Sequence, residues 1–309
     1  MPENNTMMLT GSNGMVGKNI LENEQITEWK LLAPSSKELD LTNYEDVINY
    51  LHEFKPNIII HAAGIVGGIE ANIQNPIEFL EKNTRMGMNL TMAAFNAGIK
   101  SFINLASTCM YPRNIEGPLK ERMILTGELE PTNEGYALAK IVISKLCQYI
   151  DERNINLNYK TIIPCNLYGR HDYFETERSH LIPALIHKIH LAKIDNLNEV
   201  TMWGSGFARR EFMFCADLAD AILKAARSIN SLPPLMNCGV GTDYSVREYY
   251  QIIAKIIGWE GNFVCDFSRP EGMHQKLSSI DLQKKWGWYP KTSLKEGIKL
   301  AYDYYLTEL

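Results

Sequence analysis

A short apolar strand that runs straight into three evenly spaced glycines constrains this chain more than any other stretch. Thr6-Met7-Met8-Leu9-Thr10 reads as the strand, Gly11-Ser12-Asn13-Gly14-Met15-Val16-Gly17 follows at once, and a helical stretch starts at Lys18. Strand, glycine loop and helix in that order is the context that a dinucleotide site requires. The glycines allow a tight turn and a close approach of main chain to a pyrophosphate, which rests on the helix N-terminus. The spacing is G-x-x-G-x-x-G rather than the commoner G-x-G-x-x-G.

The alternation then repeats. Lys30–Ala33 reads as a second strand and about Asn43 to Phe54 as a helix. Ile58-Ile59-Ile60 is apolar without alternation, as a parallel strand buried on both faces is. A long helix from Pro76 to Ala97 closes on Gly98, and a strand covers Ser101–Ala106. Asn133 is a candidate cap for the next helix, and Tyr159–Ile163 is a further strand. This order predicts an α/β fold: a Rossmann-type doubly wound parallel sheet with a smaller C-terminal α/β lobe. The expected division is a dinucleotide domain over 1–164, with a returning segment at about 211–240, and a substrate lobe over 165–309.

Chemistry concentrates at two places. Ser107-Thr108-Cys109 ends a strand, where open α/β sheets bind ligands. Tyr136 and Lys140 lie four apart on one helix face. A free phenol has a pKa of about 10. A neighbouring ammonium is expected to lower it, and such a tyrosine can protonate a carbonyl oxygen as hydride reaches its carbon. After the second strand, Pro34-Ser35-Ser36-Lys37 offers hydroxyls and a cation rather than an acid, which points to NADP(H). Glu38 nearby leaves NAD(H) open.

Other features narrow the field. A net charge of -5 argues against general binding to nucleic acid or an anionic membrane. Cys109, Cys147, Cys165, Cys215, Cys238 and Cys265 are scattered without C-x-x-C pairs, and no leader or membrane span is read. A cytoplasmic protein with reduced thiols is expected. His187 and His190 share a helix face, but no third ligand accompanies them, so no metal is expected. Trp203-Gly204-Ser205-Gly206 reads as a turn, and Arg209-Arg210-Glu211 as a local basic spot.

Together these motifs resemble the extended short-chain dehydrogenase/reductases that act on nucleotide sugars, and among them the GDP-L-fucose synthase family. The resemblance runs from Thr6 to the C-terminal helix. It rests on the glycine loop, His61-Ala62-Ala63-Gly64-Ile65-Val66-Gly67-Gly68, Ser107–Pro112, Pro131–Lys140, Asn166-Leu167-Tyr168-Gly169, Ser179–Leu185, and the Trp203 and Arg210-Glu211-Phe212 segments. It implies a catalytic set of Ser107, Cys109, Tyr136, Lys140 and His180. Tyr136 would protonate the oxygen at carbon 4, helped by Ser107, and Cys109 and His180 would supply the acid–base pair that inverts carbons 3 and 5. For the cofactor it implies Gly11, Asn13, Gly14, Met15, Val16 and Gly17, then Ser35, Ser36, Asp40 and Leu41. Ala62, Ala63, Gly64 and Asn83 follow, and Tyr136, Lys140, Pro164, Asn166, Leu167 and His180 complete that set. For the substrate it implies Val66, Ser107, Thr108, Cys109, Asn166, Lys188, Trp203, Arg210 and Lys276, the cations serving a diphosphate. A GDP-activated 4-keto-6-deoxy sugar and a homodimer, through helices near Met86–Asn96 and Tyr136–Ile150, are the implied partners.

The chain departs from the family pattern at several positions. Asn13 and Ser36 stand where arginines are frequent, Lys188 where arginine is usual, and Glu271–Gln275 where Asp-Gly-Thr is usual. These departures suit a second reading: a reductase without epimerisation, acting on a related sugar such as a GDP-4-keto-6-deoxy-heptose. A cofactor-bound regulator is disfavoured by the intact Ser/Tyr/Lys set. A 4,6-dehydratase is disfavoured by the cysteine at 109, where an acid would be expected.

Overall fold

The structure is a computed structural model that describes residues 5–153, 155–175, 179–268 and 273–309. Two of the departing positions, Glu271 and Gly272, lie outside the described residues. The first half alternates through β1 (Thr6–Thr10), α1 (Met15–Leu21), β2 (Lys30–Leu32), α2 (Tyr44–Phe54), β3 (Ile58–His61), α3 (Ile69–Gln74), α4 (Pro76–Asn96), β4 (Ser101–Leu105), α5 (Glu134–Arg153) and β5 (Asn158–Pro164). The second half runs through β6 (Asn166–Tyr168), α6 (Leu181–Ile194), β7 (Glu199–Trp203), β8 (Arg209–Arg210), β9 (Phe212–Phe214), α7 (Cys215–Arg227) and β10 (Leu235–Cys238). It closes with β11 (Tyr244–Ser245), α8 (Val246–Ile257), β12 (Asn262–Asp266), β13 (Gln275–Lys276), α9 (Asp281–Trp286) and α10 (Leu294–Thr307).

Six strands form one sheet in the order β10-β5-β4-β3-β1-β2, every pairing parallel. The direction of winding reverses between β1 and β3, which places the ligand crevice beyond their carboxyl ends. Successive strand side chains alternate between two buried faces, hence the unbroken apolar runs. Met7, Leu9, Ile58, Ile60, Ile103 and Ile162 pack with Leu218 and Ile222 of α7. Met8, Ile59, Phe102 and Tyr159 pack on the other face with Val47, Leu51, Leu90 and Ile143. α7 lies against α1, and β10 extends the sheet beside β5.

α4 and α5 are unusually close. A Cβ at Gly87 would lie 2.5 Å from Ile143 Cγ1, so only glycine lets α4 seat against the helix that carries Tyr136 and Lys140. The second lobe gathers α6, α8 and α10 around Ile182, Ile186, Tyr249, Ile253 and Ile298. There, Nδ1 of His187 and Nδ1 of His190 each hydrogen-bond a tyrosine of α10, Tyr305 at 2.9 Å and Tyr302 at 3.0 Å. Among the described residues no helix is long and apolar enough to cross a membrane.

One local expectation is corrected. Asn133 does not cap α5: Pro131–Asn133 forms a 3-10 turn that runs straight into Glu134, and the Asn133 amide oxygen is buried without a partner. α6 starts at Leu181, which leaves His180 in extended geometry at its N-cap.

Candidate active site

The glycine loop is built by steric necessity. Gly11 has φ of 72°, and a Cβ there would lie 2.7 Å from Ala62 C and Ala63 N. Gly17 is buried, and its Cβ would lie 2.2 Å from Gly11 O. Gly14 is exposed, and its Cβ would meet nothing nearer than Gly11 O at 3.4 Å. Gly14, the N-cap of α1, has no side chain with which to cap its first turn. Two glycines thus fold the loop and the third opens its outer face, an arrangement that fits a dinucleotide pyrophosphate. Met15 and Val16 enter α1, and Val16 and Ala62 pack against the core.

The floor beside the loop is fixed by a pair that the sequence reading missed. Thr10 and His61 face each other across β1 and β3, and Thr10 Oγ1 lies 2.9 Å from His61 Nδ1 while accepting the Ala63 N–H at 3.3 Å. Burial, and then the charge of Lys140, push His61 down to about 3, so its ring is neutral. Two polar residues ending adjacent apolar strands were the available signal. Asn83 acts on the same loop. Its Oδ1 accepts the Ile65 N–H at 2.8 Å, and its Nδ2 donates to Ile65 O at 3.1 Å and Phe79 O at 2.7 Å. Val66 beyond it is exposed.

At the end of β2, Glu38 turns back on its own loop. Its Oε2 accepts the Ser35 N–H at 2.8 Å, and that bond holds the carboxyl below the usual range. Ser36 and Asn13 are exposed. Asp40 Oδ1 accepts both the N–H and the hydroxyl of Thr42, at 2.8 and 2.7 Å, and the Leu41 side chain lies in the core. Pro164 ends β5, buried, and Asn166 and Leu167 open β6.

Ser107, Cys109, Tyr136 and Lys140 gather where β4 ends and α5 begins. Ser107 caps a 3-10 turn over Thr108–Met110, its Oγ accepting the Cys109 N–H at 3.3 Å, and Thr108 and Cys109 are buried. Lys140 is buried; its Nζ donates to Leu105 O at 2.9 Å and lies 5.6 Å from the centre of the Tyr136 ring. Tyr136 is half-buried, edge-on to Phe79 at 6.3 Å between centroids.

Charge states follow from burial. Desolvation lowers Lys140 to about 8, with Cys109 pulling the other way. Desolvation, then Cys109, push the Tyr136 phenol up, the opposite of the direction expected from its spacing to Lys140. The phenol therefore rests protonated, as a donor. Burial also raises the Cys109 thiol, against the pull of Lys276, Ser107 and Lys140. His180 is lowered by burial and then by Lys276, so its imidazole is neutral.

The remaining candidate residues occupy two neighbourhoods. Lys276 lies within electrostatic reach of Cys109, His180, Arg210 and Glu130. It pairs in register with Arg210 across β13 and β8. Arg209 is committed to Asp243, its Nε donating at 2.9 Å, which leaves Arg210 as the arginine beside Lys276. Lys188 hydrogen-bonds the carbonyl of Thr201 on β7, and Trp203 ends that strand, 47% exposed. Asn166 donates to Glu211 O at 2.8 Å.

Known proteins share this architecture. Residues 7–239 match the NAD dependent epimerase/dehydratase family. The chain is 51% identical over 302 residues to a Yersinia pseudotuberculosis protein named GDP-L-colitose synthase, covering 98% of each chain. It is 50% identical over 307 residues to a GDP-L-fucose synthase of Azorhizobium caulinodans, covering 99% of this chain and 98% of that one. Among solved structures, a GDP-mannoheptose C4 reductase from Campylobacter jejuni with NADP bound superposes with a TM-score of 0.90 at 28% identity, covering 99% of both chains. The chain belongs to the NAD dependent epimerase/dehydratase family, alongside the GDP-L-fucose and GDP-L-colitose synthases.

Proposed function

We propose that this chain reduces the 4-keto group of a GDP-activated 4-keto-6-deoxy sugar with NADPH, after epimerisation at carbons 3 and 5. One observation carries the reading: Cys109 lies within electrostatic reach of Tyr136, Lys140 and Lys276, and Lys276 within reach of His180. A phenol, a thiol and Lys140 therefore share the end of β4, and Lys276 relates His180 to that group. Relatives named for GDP-L-fucose and GDP-L-colitose synthesis support it.

NADPH, when bound, supplies the hydride to carbon 4. Gly11, Gly14 and Gly17 make room for its pyrophosphate, and Asn13, Ser35 and Ser36 offer neutral polar groups to the 2′-phosphate. Ser107 holds the sugar oxygen at carbon 4 through its hydroxyl, and Tyr136 gives that oxygen its phenolic proton. The Lys140 ammonium, held by Leu105 O, compensates the phenolate that results. The protons on the carbons flanking a ketone are acidified. One member of the Cys109–His180 pair removes such a proton and the other returns one on the opposite face, while Ser107 and Tyr136 hold the enolate oxygen. Arg210 meets the diphosphate, joined by Lys276 across the strand pair, and Lys188 and Trp203 flank the nucleotide.

The protein acts in the cytoplasm as a homodimer in this reading. Its six cysteines are free thiols. The outer faces of α4 and α5 expose Met88, Phe95, Leu138, Val142 and Tyr149, an apolar surface shared by two adjoining helices.

The decisive experiment incubates the enzyme with a GDP-4-keto-6-deoxy sugar in heavy water without cofactor, and then adds NADPH. Deuterium at carbons 3 and 5, followed by stoichiometric NADPH oxidation and a 4-hydroxy product by NMR, is expected. NADPH oxidation without label favours the second reading, reduction alone on a related sugar. The likeness to the Campylobacter jejuni reductase and the lysine at 188 support that alternative.

A further inference from the structure

We infer that Glu211 is a positioning residue of the sugar-nucleotide side: its carboxylate ties the edge of the main sheet to the strand that carries Lys276, and so holds Lys276 opposite Arg210. The inference rests on the reading of Lys276 as part of that site.

Glu211 falls where the chain leaves β8, which pairs with β11 and β13, and enters β9, which pairs with β6. It is 1% exposed. Its main chain is already a junction: the N–H donates to Lys276 O at 3.2 Å, and the carbonyl accepts Asn166 Nδ2 at 2.8 Å. The carboxylate joins two further segments. Oε1 accepts the N–H groups of Val240 and Gly241, both at 2.7 Å, just beyond the end of β10. Oε2 accepts the N–H of Ser278 at 2.8 Å, two residues past Lys276. Among the described residues no lysine or arginine pairs with it. The main chain wraps it closely, since a Cβ at Gly239 would lie 2.5 Å from Oε1.

The chemistry of this cradle demands a carboxylate. Three N–H donors converge on two oxygens, and an ionised carboxyl is acceptor-only on both. A glutamine offers one oxygen and one NH2 group. Whichever way its amide faces, at least one N–H meets another donor, and the buried loser is left unsatisfied. If Ser278 loses, β13 keeps a two-residue ladder to β8 and a bridge from Leu119 to Ser278. Lys276 then drifts relative to Arg210, Cys109 and His180, while the glycine loop is untouched.

The test compares Glu211→Gln, Lys276→Met and the double variant in the full-length protein. The readouts are Tm, NADPH binding by fluorescence, KM and kcat with the keto sugar, and solvent-deuterium exchange without cofactor. Glu211→Gln is expected to raise KM about tenfold or more and to slow exchange, with NADPH affinity changed less than about twofold. In the Lys276→Met background the same change is expected to add little, because the two act through one position. Effects that multiply overturn the inference, and so does a lower Tm with KM and exchange unchanged. If Lys276→Met alone alters neither KM nor exchange, the role given to Lys276 fails, and a persisting Glu211→Gln effect then shows that Glu211 acts by another route. Should Glu211→Gln not fold, Ser278→Pro removes one of the three donors and leaves the carboxylate intact, and the same outcomes apply.

Discussion

In the half built on the six-stranded sheet, the candidate groups sit at the ends of parallel strands or on a helix packed against them. Gly11, Ala63 and Ser107 follow β1, β3 and β4, and α5 brings Tyr136 and Lys140 alongside. Ladders of four and five pairs within one six-stranded sheet, with a core on each face, hold them. On the sugar side, Lys188 comes from a helix, Trp203 from the end of β7, and Arg210 and Lys276 from strands two residues long. Such short ladders supply little alignment of their own. Trp203 has the five-pair ladder of β7 with β12, but Arg210 and Lys276 depend on side-chain ties such as Glu211 to Val240, Gly241 and Ser278, and Arg209 to Asp243. A continuous sheet presents Ser107, Tyr136 and Lys140, and short strands tied by side chains present Arg210 and Lys276.

The contrast can be broken by substitutions on each side. Tyr136→Phe should have the largest effect: reduction slows roughly 10²–10⁴-fold while NADPH affinity holds, measured by stopped-flow oxidation and fluorescence titration. A loss below tenfold would mean that another group protonates the sugar. Cys109→Ser comes next. It should slow solvent-deuterium exchange by roughly 10²-fold, read by NMR, while an already epimerised keto sugar is still reduced. Arg210→Met should raise KM by roughly 10–100-fold with a smaller change in kcat, the mark of lost binding rather than lost chemistry. Equal losses in both parameters would place Arg210 with the reducing groups instead.

The pH profile sharpens the same division. Lys140 is protonated below about 8, so the charge that stabilises a phenolate is present below that value and lost above it. Reduction should fall up to about tenfold per pH unit above it, and Lys140→Arg, which stays charged, should flatten the decline. KM for the sugar should not follow that curve. The smallest effect on turnover is expected from Val142→Lys on the outer face of α5, which should shift light-scattering mass towards a monomer.

Much of the coenzyme side was legible because it is local. A strand, a glycine spacing and a four-residue helical repeat are visible within short windows, and the apolar run at Ile58–Ile60 declared a buried parallel strand. What was not legible depended on distant chain. Spacing put an ammonium near Tyr136, but only the packed structure reveals that burial, and then Cys109, raise the phenol. Asn133 had the right chemistry for a cap, yet Pro131 drew it into a 3-10 turn. Glu211 read as one member of a basic spot, because its partners lie about thirty and about seventy residues ahead. The placement of Lys276 beside Cys109 and His180 depends on β13 joining β8, two strands too short to carry any pattern.

β10 has a practical consequence. It covers the flank of β5 with residues 235–238, long after the rest of that sheet has been made. A fragment ending at Pro164 would leave Thr161, Ile162 and Ile163 with a naked hydrogen-bonding rim, an invitation to clumping. The nucleotide-cradling half should therefore be cloned only with its late strand attached. During synthesis it should stay protease-sensitive until that strand has emerged from the ribosome.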